Sequence, residues 1–412
     1  MTVFRVALRR ISPEQLFMGS VLLVNGGNYL YNLILGRLLG PEAFADAALL
    51  VTLLLVLSFL GMTFQLATAK FAVLFSEGQW EAFQNLMYRY AGFFGLLVGA
   101  ILIGFSSNLQ QIFHTGTQWM FTVFGVAIPL YFFMSVNRGK YQGRQEFGKL
   151  SITYQTEMWS RLSITLGLLL YVPVEPALLV AIGIALSFVF GLVPSDFRGV
   201  SILKPKMLAP EHKKSVSNFI VLTACYELTQ IMINNSDVLL VKHYFDSLDA
   251  GLYASLALIG RVTYFMTWMF IMLLLPVVVQ KQKDGEATAP VLFKYAGYVG
   301  LLSLMIVTTC YVCPELIIEL MFGKVYISMA PLLWQYALAT SLFAISNIFA
   351  YYFLSLNHYI PVILCGILGL SQLVLITFFH RSLAMVVQMQ IMAMIALLVA
   401  QLLYFTRKEL MK

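Results

Sequence analysis

The sequence is poor in charge. Asp, Glu, Lys and Arg make up only 11% of its 412 residues, against roughly 25% in a water-soluble domain, so a soluble globule is excluded. Histidine (5) and cysteine (4) are scarce as well. The four thiols, Cys225, Cys310, Cys313 and Cys365, lie in or beside apolar stretches. Cys310 and Cys313 spell C-x-x-C, but they close a hydrophobic run before Pro314 with no second pair and no nearby histidine. They therefore read as small apolar filling, and no metal or cofactor is expected. No nucleotide-binding loop is present, which leaves no site for direct drive by ATP. Loops on the outer side are short, and the scattered histidines offer no cluster for polymerase or ligase chemistry, so an enzyme is not expected.

What fills the chain instead is apolar sequence, 60% of all residues. About 20 apolar residues cross a hydrocarbon core of about 30 Å as a helix. Spans are read at 15–38, 43–69, 90–106, 118–137, 152–172, 176–195, 216–241, 252–280, 294–312, 328–354, 359–379 and 384–405. The fold class is thus an all-α polytopic membrane protein of about twelve transmembrane helices.

Twelve spans put both termini on one side, and the basic residues then separate. Arg5, Arg9 and Arg10, Lys70 and Arg89, Arg138, Lys140, Arg144 and Lys149 fall on the terminal side. So do the Arg198 to Lys214 group, Lys281, Lys283, Lys294, Arg407, Lys408 and Lys412. Only Arg37, Lys242, Lys324 and Arg381 fall opposite. The positive-inside bias places both ends in the cytoplasm of a cell (inner) membrane protein and accounts for the net charge of +7 without nucleic acid. The first residues, 1–14, read as a retained amphipathic turn at the cytoplasmic surface. Asn234-Asn235-Ser236 is formally a glycosylation acceptor, but it lies within a span.

The longest cytoplasmic link, 196–215, is basic and carries Pro205 and Pro210 after the sixth span. It reads as a linker between an N-lobe at 15–195 and a C-lobe at 216–405, followed by a tail at 406–412. An internal echo agrees: LGRLLGPEAFADAALL between spans one and two resembles KHYFDSLDAGLYASLAL between spans seven and eight.

Polar side chains inside spans are expensive and should face partners or a wet cavity. In span seven Thr223, Glu227, Gln230, Asn234 and Asp237 recur at steps of 4, 3, 4 and 3, one face of a helix. Span one carries Asn25, Asn28 and Asn32 beside Gly26 and Gly27; span five carries Tyr154, Glu157, Arg161 and Thr165; span eight carries Arg261, Tyr264 and Trp268. The simplest geometry joins these stripes around a central cavity between the lobes. Each also has a plainer reading. Glu157 and Arg161 at i and i+4 can neutralise one another, Arg261 can reach Asp237 across the hairpin, and the asparagines can serve as interhelical glue. Glu227 has no cation in its own helix or an adjacent turn. A carboxylate in such a place can bind and release a proton near neutral pH, which makes Glu227 the first candidate for ion coupling, with Asp237 and Glu157 after it.

Three stretches carry a family resemblance: GRLLGPEAFADAALLVTLLLVLSFL, NSDVLLVKHYFDSLDAGLYASLALIGRVTYF and MFGKVYISMAPLLWQYALATSLFAISNIFAYYFLSLNHY, with NRGKYQGRQEFGK after span four. Together they resemble the polysaccharide-transporter branch of the multidrug/oligosaccharidyl-lipid/polysaccharide (MOP) exporter superfamily, which includes O-antigen and lipid II flippases. The resemblance implies two six-helix lobes about a V-shaped central cavity, alternating access, and a polyprenyl-diphosphate-linked oligosaccharide as cargo. It also implies movement from the cytoplasmic to the outer leaflet, with H+ or Na+ coupling. A twelve-helix oligosaccharide flippase fits better than the fourteen-helix lipid II flippases. In several relatives basic residues line the first two helices, whereas here span one offers only Arg37.

The expected substrate contacts are Asn25, Asn28, Asn32, Arg161, Gln230, Asn234, Arg261, Tyr264 and Trp268. Arginines would meet the anionic pyrophosphate, and amides the hydroxyls. Expected partners are the lipid-linked glycan, membrane lipids and polysaccharide assembly enzymes, around a monomer. The competing reading is a cation-coupled antiporter of drugs or small organic cations on the same fold, which should favour acidic and aromatic cavity residues over arginines.

Overall fold

The computed structural model describes residues 13–195, 208–263, 270, 274, 277–278, 280–356, 358 and 360–410. The regular elements among the described residues are all helical. In chain order they are α1 (Pro13–Leu74), α2 (Glu77–Gly104), α3 (Ser106–Phe113), α4 (Trp119–Gly143), α5 (Phe147–Tyr171), α6 (Pro176–Gly191) and α7 (Pro210–Tyr244). The order continues with α8 (Ser247–Gly260), α9 (Ala289–Val312), α10 (Pro314–Met321), a 3₁₀ turn (Lys324–Met329), α11 (Ala330–Ser355), α12 (Ile360–Phe378) and α13 (Leu383–Leu410).

Local chemistry sets several of these boundaries. Helices α6, α9, α10 and α11 each carry proline in the first turn, where the missing N–H would have had no helical partner. Asp246 caps α8 by accepting the Asp249 N–H at 2.8 Å. Within α1 the chain breaks at Gly40 (φ 70°, ψ 172°), ahead of Pro41. That left-handed conformation is open to glycine, and it turns one 62-residue helix into two arms. Among the described residues, eight helices are long and apolar enough to cross a membrane, with α1 counted once. The second arm of α1, the polar-striped α5 and the shorter α6 match three more of the spans read from sequence; of the span read at 252–280, α8 covers the start, and 264–269, 271–273, 275–276 and 279 lie outside the described residues.

The chain forms two compact units. Residues 1–32 with 46–231 make the first, and 33–45 with 232–412 the second. In the first unit α4 packs on α2 and α6, and α6 on α5. The first arm of α1 lies on α5: Gln155 donates to the Ser20 carbonyl (3.1 Å) and hydroxyl (3.0 Å), and Tyr31 and Thr165 hydroxyls pair at 3.3 Å. In the second unit α11 packs on α9 and α13, and α13 on α12.

The division departs from a cut at 196–215 in two places. Residues 216–231 of α7 cluster with the first unit, and the helix already begins at Pro210, within the expected linker. Residues 33–45 cluster with the second unit, for reasons visible in their contacts. Arg37 donates from Nε to the Met321 carbonyl (2.7 Å) and from Nη2 to those of Leu320 and Glu319, capping the last turn of α10. Tyr326 donates to the Gly36 carbonyl at 2.7 Å, and Phe44, Phe322 and Tyr326 form a ring cluster. Gly251 of α8 approaches Pro41 so closely that a Cβ there would lie 1.8 Å from the Pro41 carbonyl oxygen.

Candidate functional site

Each unit holds a buried polar centre on helices whose other faces are apolar. In the first unit, α4 continues past its apolar run to Gly143 and carries Arg138 into the interior. Arg138, Glu157 and Arg161 are 5%, 7% and 8% exposed. Glu157 Oε2 accepts from Arg138 Nη2 at 2.7 Å, and Oε1 accepts from Arg161 Nη2. Arg138 is held on every side, with Nε donating to Thr153 Oγ1 (3.1 Å), Nη2 to the Thr153 carbonyl (2.9 Å), and its guanidinium 4.0 Å over the Tyr154 ring. The Tyr154 hydroxyl meets Gln65, which in turn donates to Gln142 at 2.8 Å. Two guanidiniums thus share one carboxylate, and Arg161 Nε is buried with no hydrogen-bond partner.

This corrects the sequence reading of Arg138 and Lys140 as residues of a cytoplasmic loop: both are buried within α4. For Arg138 the reason is physical, since acceptors on α5 make interior placement tolerable. The i, i+4 pairing of Glu157 with Arg161 occurs as expected, but with a second cation that hydropathy had assigned to solvent.

In the second unit Asp237 is 1% exposed. Its Oδ2 accepts from the hydroxyls of Tyr253 (3.0 Å) and Tyr336 (2.7 Å), and Oδ1 lies 3.4 Å from Arg261 Nη2. The expected reach of Arg261 to Asp237 is therefore present. These groups border a small cavity of about 30 Å³, room for about one or two waters, which Asn234, Thr340, Gln372 and Gln390 also line. Gln372 donates to the Ile233 carbonyl and, at 3.3 Å, to Ser236 Oγ. Gln390 is only 5% exposed and makes no hydrogen bond among the described residues. Such a chamber presents a carboxylate, a guanidinium, phenols and amides together, a donor set suited to water, hydroxyls or small ions.

The remaining expected residues fall elsewhere. Asn25 is exposed on α1, whereas Asn28 and Asn32 are half-buried. Asn32 donates to the Asn28 carbonyl at 2.9 Å within its own helix, and Asn28 Oδ1 is buried with no partner. Gln230 and Glu227 are half-buried on α7, and Glu227 has no hydrogen bond or ion pair among the described residues. Tyr264 and Trp268 lie outside the described residues. The structure brings Asn234, Asp237 and Arg261 together in one chamber, and Glu157 and Arg161 together in the other unit. Sequence reasoning missed Arg138, Tyr253, Tyr336, Thr340, Gln372 and Gln390. Gln372 and Gln390 did leave a signal, as isolated amides in apolar spans.

Residues 34–331 match the polysaccharide biosynthesis protein family. No curated protein matches the chain by sequence. Among solved structures, the chain is similar to a multidrug resistance MATE family transporter of the MOP superfamily in an inward-facing conformation, at 13% identity and a TM-score of 0.77. That match covers 92% of this chain and 93% of that one. It is likewise similar to the lipid II flippase MurJ in an inward closed conformation (15% identity, TM-score 0.73, 95% and 87% covered). A third match is a MOP superfamily transporter from Pyrococcus furiosus (14%, TM-score 0.62, 96% and 93%). The family match covers most of the chain: the chain belongs to the polysaccharide biosynthesis protein family, and it shares the fold of these solved structures.

Proposed function

We propose that the protein is a flippase that carries a polyprenyl-diphosphate-linked oligosaccharide from the cytoplasmic to the outer leaflet of the cell membrane, with both termini cytoplasmic. The observation that carries this reading is the family match across residues 34–331, joined to a surplus of buried arginine in the first unit. Anionic diphosphate needs guanidinium partners out of bulk water, and hydroxyl-rich sugars need amides such as Asn28, Gln230, Asn234 and Gln390. Transport proceeds by alternating access, with guanidiniums offered to the diphosphate by Arg161 in the first unit and by Arg261 in the second. Ion coupling is assigned to Glu227, the half-buried carboxylate with no cation beside it. Asp237 and Glu157, each held by arginine, respond to the cargo at Arg261 and Arg161. An antiporter of organic cations on the same fold is disfavoured because both polar centres already contain arginine, which repels a cationic cargo.

In proteoliposomes, a leaflet-accessibility assay of labelled lipid-linked oligosaccharide tests the assignment. Glu227→Gln and Arg261→Ala should abolish movement while the protein still inserts. Wild-type rates in both variants would remove these residues from the mechanism.

A further inference from the structure

The polar centre of the first unit does not balance its charge. Arg138 and Arg161 bring two positive charges, and Glu157 brings one negative charge. All three are at least nine-tenths buried. Both of these arginines are ion-paired with Glu157, one on each carboxylate oxygen. An uncompensated cation in an apolar interior is costly unless a counter-charge reaches it.

The two arginines are not equivalent. Arg138 has its Nε and Nη2 committed to Thr153 and Glu157 and its face covered by Tyr154. Arg161 has one ion pair, to Glu157, and a buried Nε–H aimed at no acceptor. Its guanidinium therefore retains the edge that a two-oxygen anion uses for bidentate contact. Glu157, with one oxygen on each arginine, can leave Arg161 without losing its second partner.

We propose that Arg138, Glu157 and Arg161 form an anion-exchange site, in which a phosphate oxygen of the cargo head group takes the place of Glu157 on Arg161 while Arg138 retains the carboxylate. The filled site then holds two cations and two anions. Arg161 is the binding residue, Arg138 a positioning residue, and Glu157 an internal competitor that holds Arg161 closed until an anion arrives. This rests on the reading of the cargo as a diphosphate-linked lipid.

The test uses the purified full chain in detergent, titrated calorimetrically with farnesyl diphosphate, sodium diphosphate and phosphatidylglycerol. Wild type should bind farnesyl diphosphate. Arg161→Gln should weaken binding at least about tenfold, and Glu157→Gln, which removes the competitor, should tighten it on the order of tenfold. A merely structural ion pair predicts the opposite for Glu157→Gln, namely equal or weaker binding, and that result overturns the proposal. If Glu157→Gln does not give folded protein, Arg161→Gln decides alone: weakened binding supports the site, and undiminished binding refutes it. Sodium diphosphate binding through Arg161 supports recognition of the head group itself. Phosphatidylglycerol binding as tightly as farnesyl diphosphate overturns the assignment to the cargo. The flippase reading fails separately: a chain that binds farnesyl diphosphate through Arg161 but moves no lipid-linked sugar retains the anion site and loses that function.

Discussion

Removing Glu157 should hurt the fold far more than removing Arg161, although the two form one ion pair. Glu157→Gln leaves two guanidiniums, 5% and 8% exposed, with no carboxylate between them. Breaking a buried pair from the side that strands a charge costs about 3–5 kcal/mol. Arg161→Met leaves Arg138 and Glu157 as a balanced pair at 2.7 Å and replaces an incompletely bonded cation with an apolar side chain of similar length. Its cost should be about 1 kcal/mol or less, by the same reasoning that makes apolar replacement of buried ions nearly neutral. Arg138→Met falls between, since Thr153 loses two contacts but keeps its bond to the Leu150 carbonyl at 2.8 Å. If each kcal/mol moves the midpoint by roughly 2 °C, Glu157→Gln should melt roughly 6–10 °C below wild type. The assay is the fraction of monodisperse protein remaining after heating in detergent. Equal losses for Glu157→Gln and Arg161→Met would refute the charge surplus.

The second unit offers sharper packing tests. Gly251→Ala places a Cβ against the Pro41 carbonyl oxygen and should cost about 3 kcal/mol by overpacking, read as a collapse in the yield of monodisperse protein. Arg37→Ala removes the donor to three carbonyls at the end of α10; because the side chain is exposed, the loss should be only about 1 kcal/mol, measured by the same heating assay. Asp237→Asn leaves Arg261 beside two tyrosine hydroxyls with no carboxylate and should cost more stability than Tyr336→Phe, which removes one of three partners. The reverse order would show that the phenols rather than the ion pair hold that chamber.

Much of the helical architecture was legible because bilayer-length apolar runs are a direct consequence of the solvent. Period carried information too: Asn234 and Asp237, on one helical face by their spacing, line the same cavity, and Arg261, just past the end of α8, meets Asp237. Hydropathy failed at Arg138, since a helix can continue past its apolar run wherever a neighbour supplies acceptors, and here the next helix supplies them through Thr153 and Glu157. Tyr253 and Tyr336 were hidden for a different reason. They sit among many aromatics, and only the fold brings both hydroxyls to one carboxylate oxygen. The echo between the turns at 35–50 and 242–258 gained a physical meaning that similarity alone did not supply: Pro41 of one packs on Gly251 of the other.

The most direct test of the account is reconstitution of the wild-type chain in proteoliposomes with two labelled cargoes, a polyprenyl-diphosphate-linked oligosaccharide and tetraphenylphosphonium. The account predicts that the glycolipid changes leaflets faster than in protein-free vesicles and that the organic cation stays where it was placed. Movement of tetraphenylphosphonium with no movement of the glycolipid would contradict it.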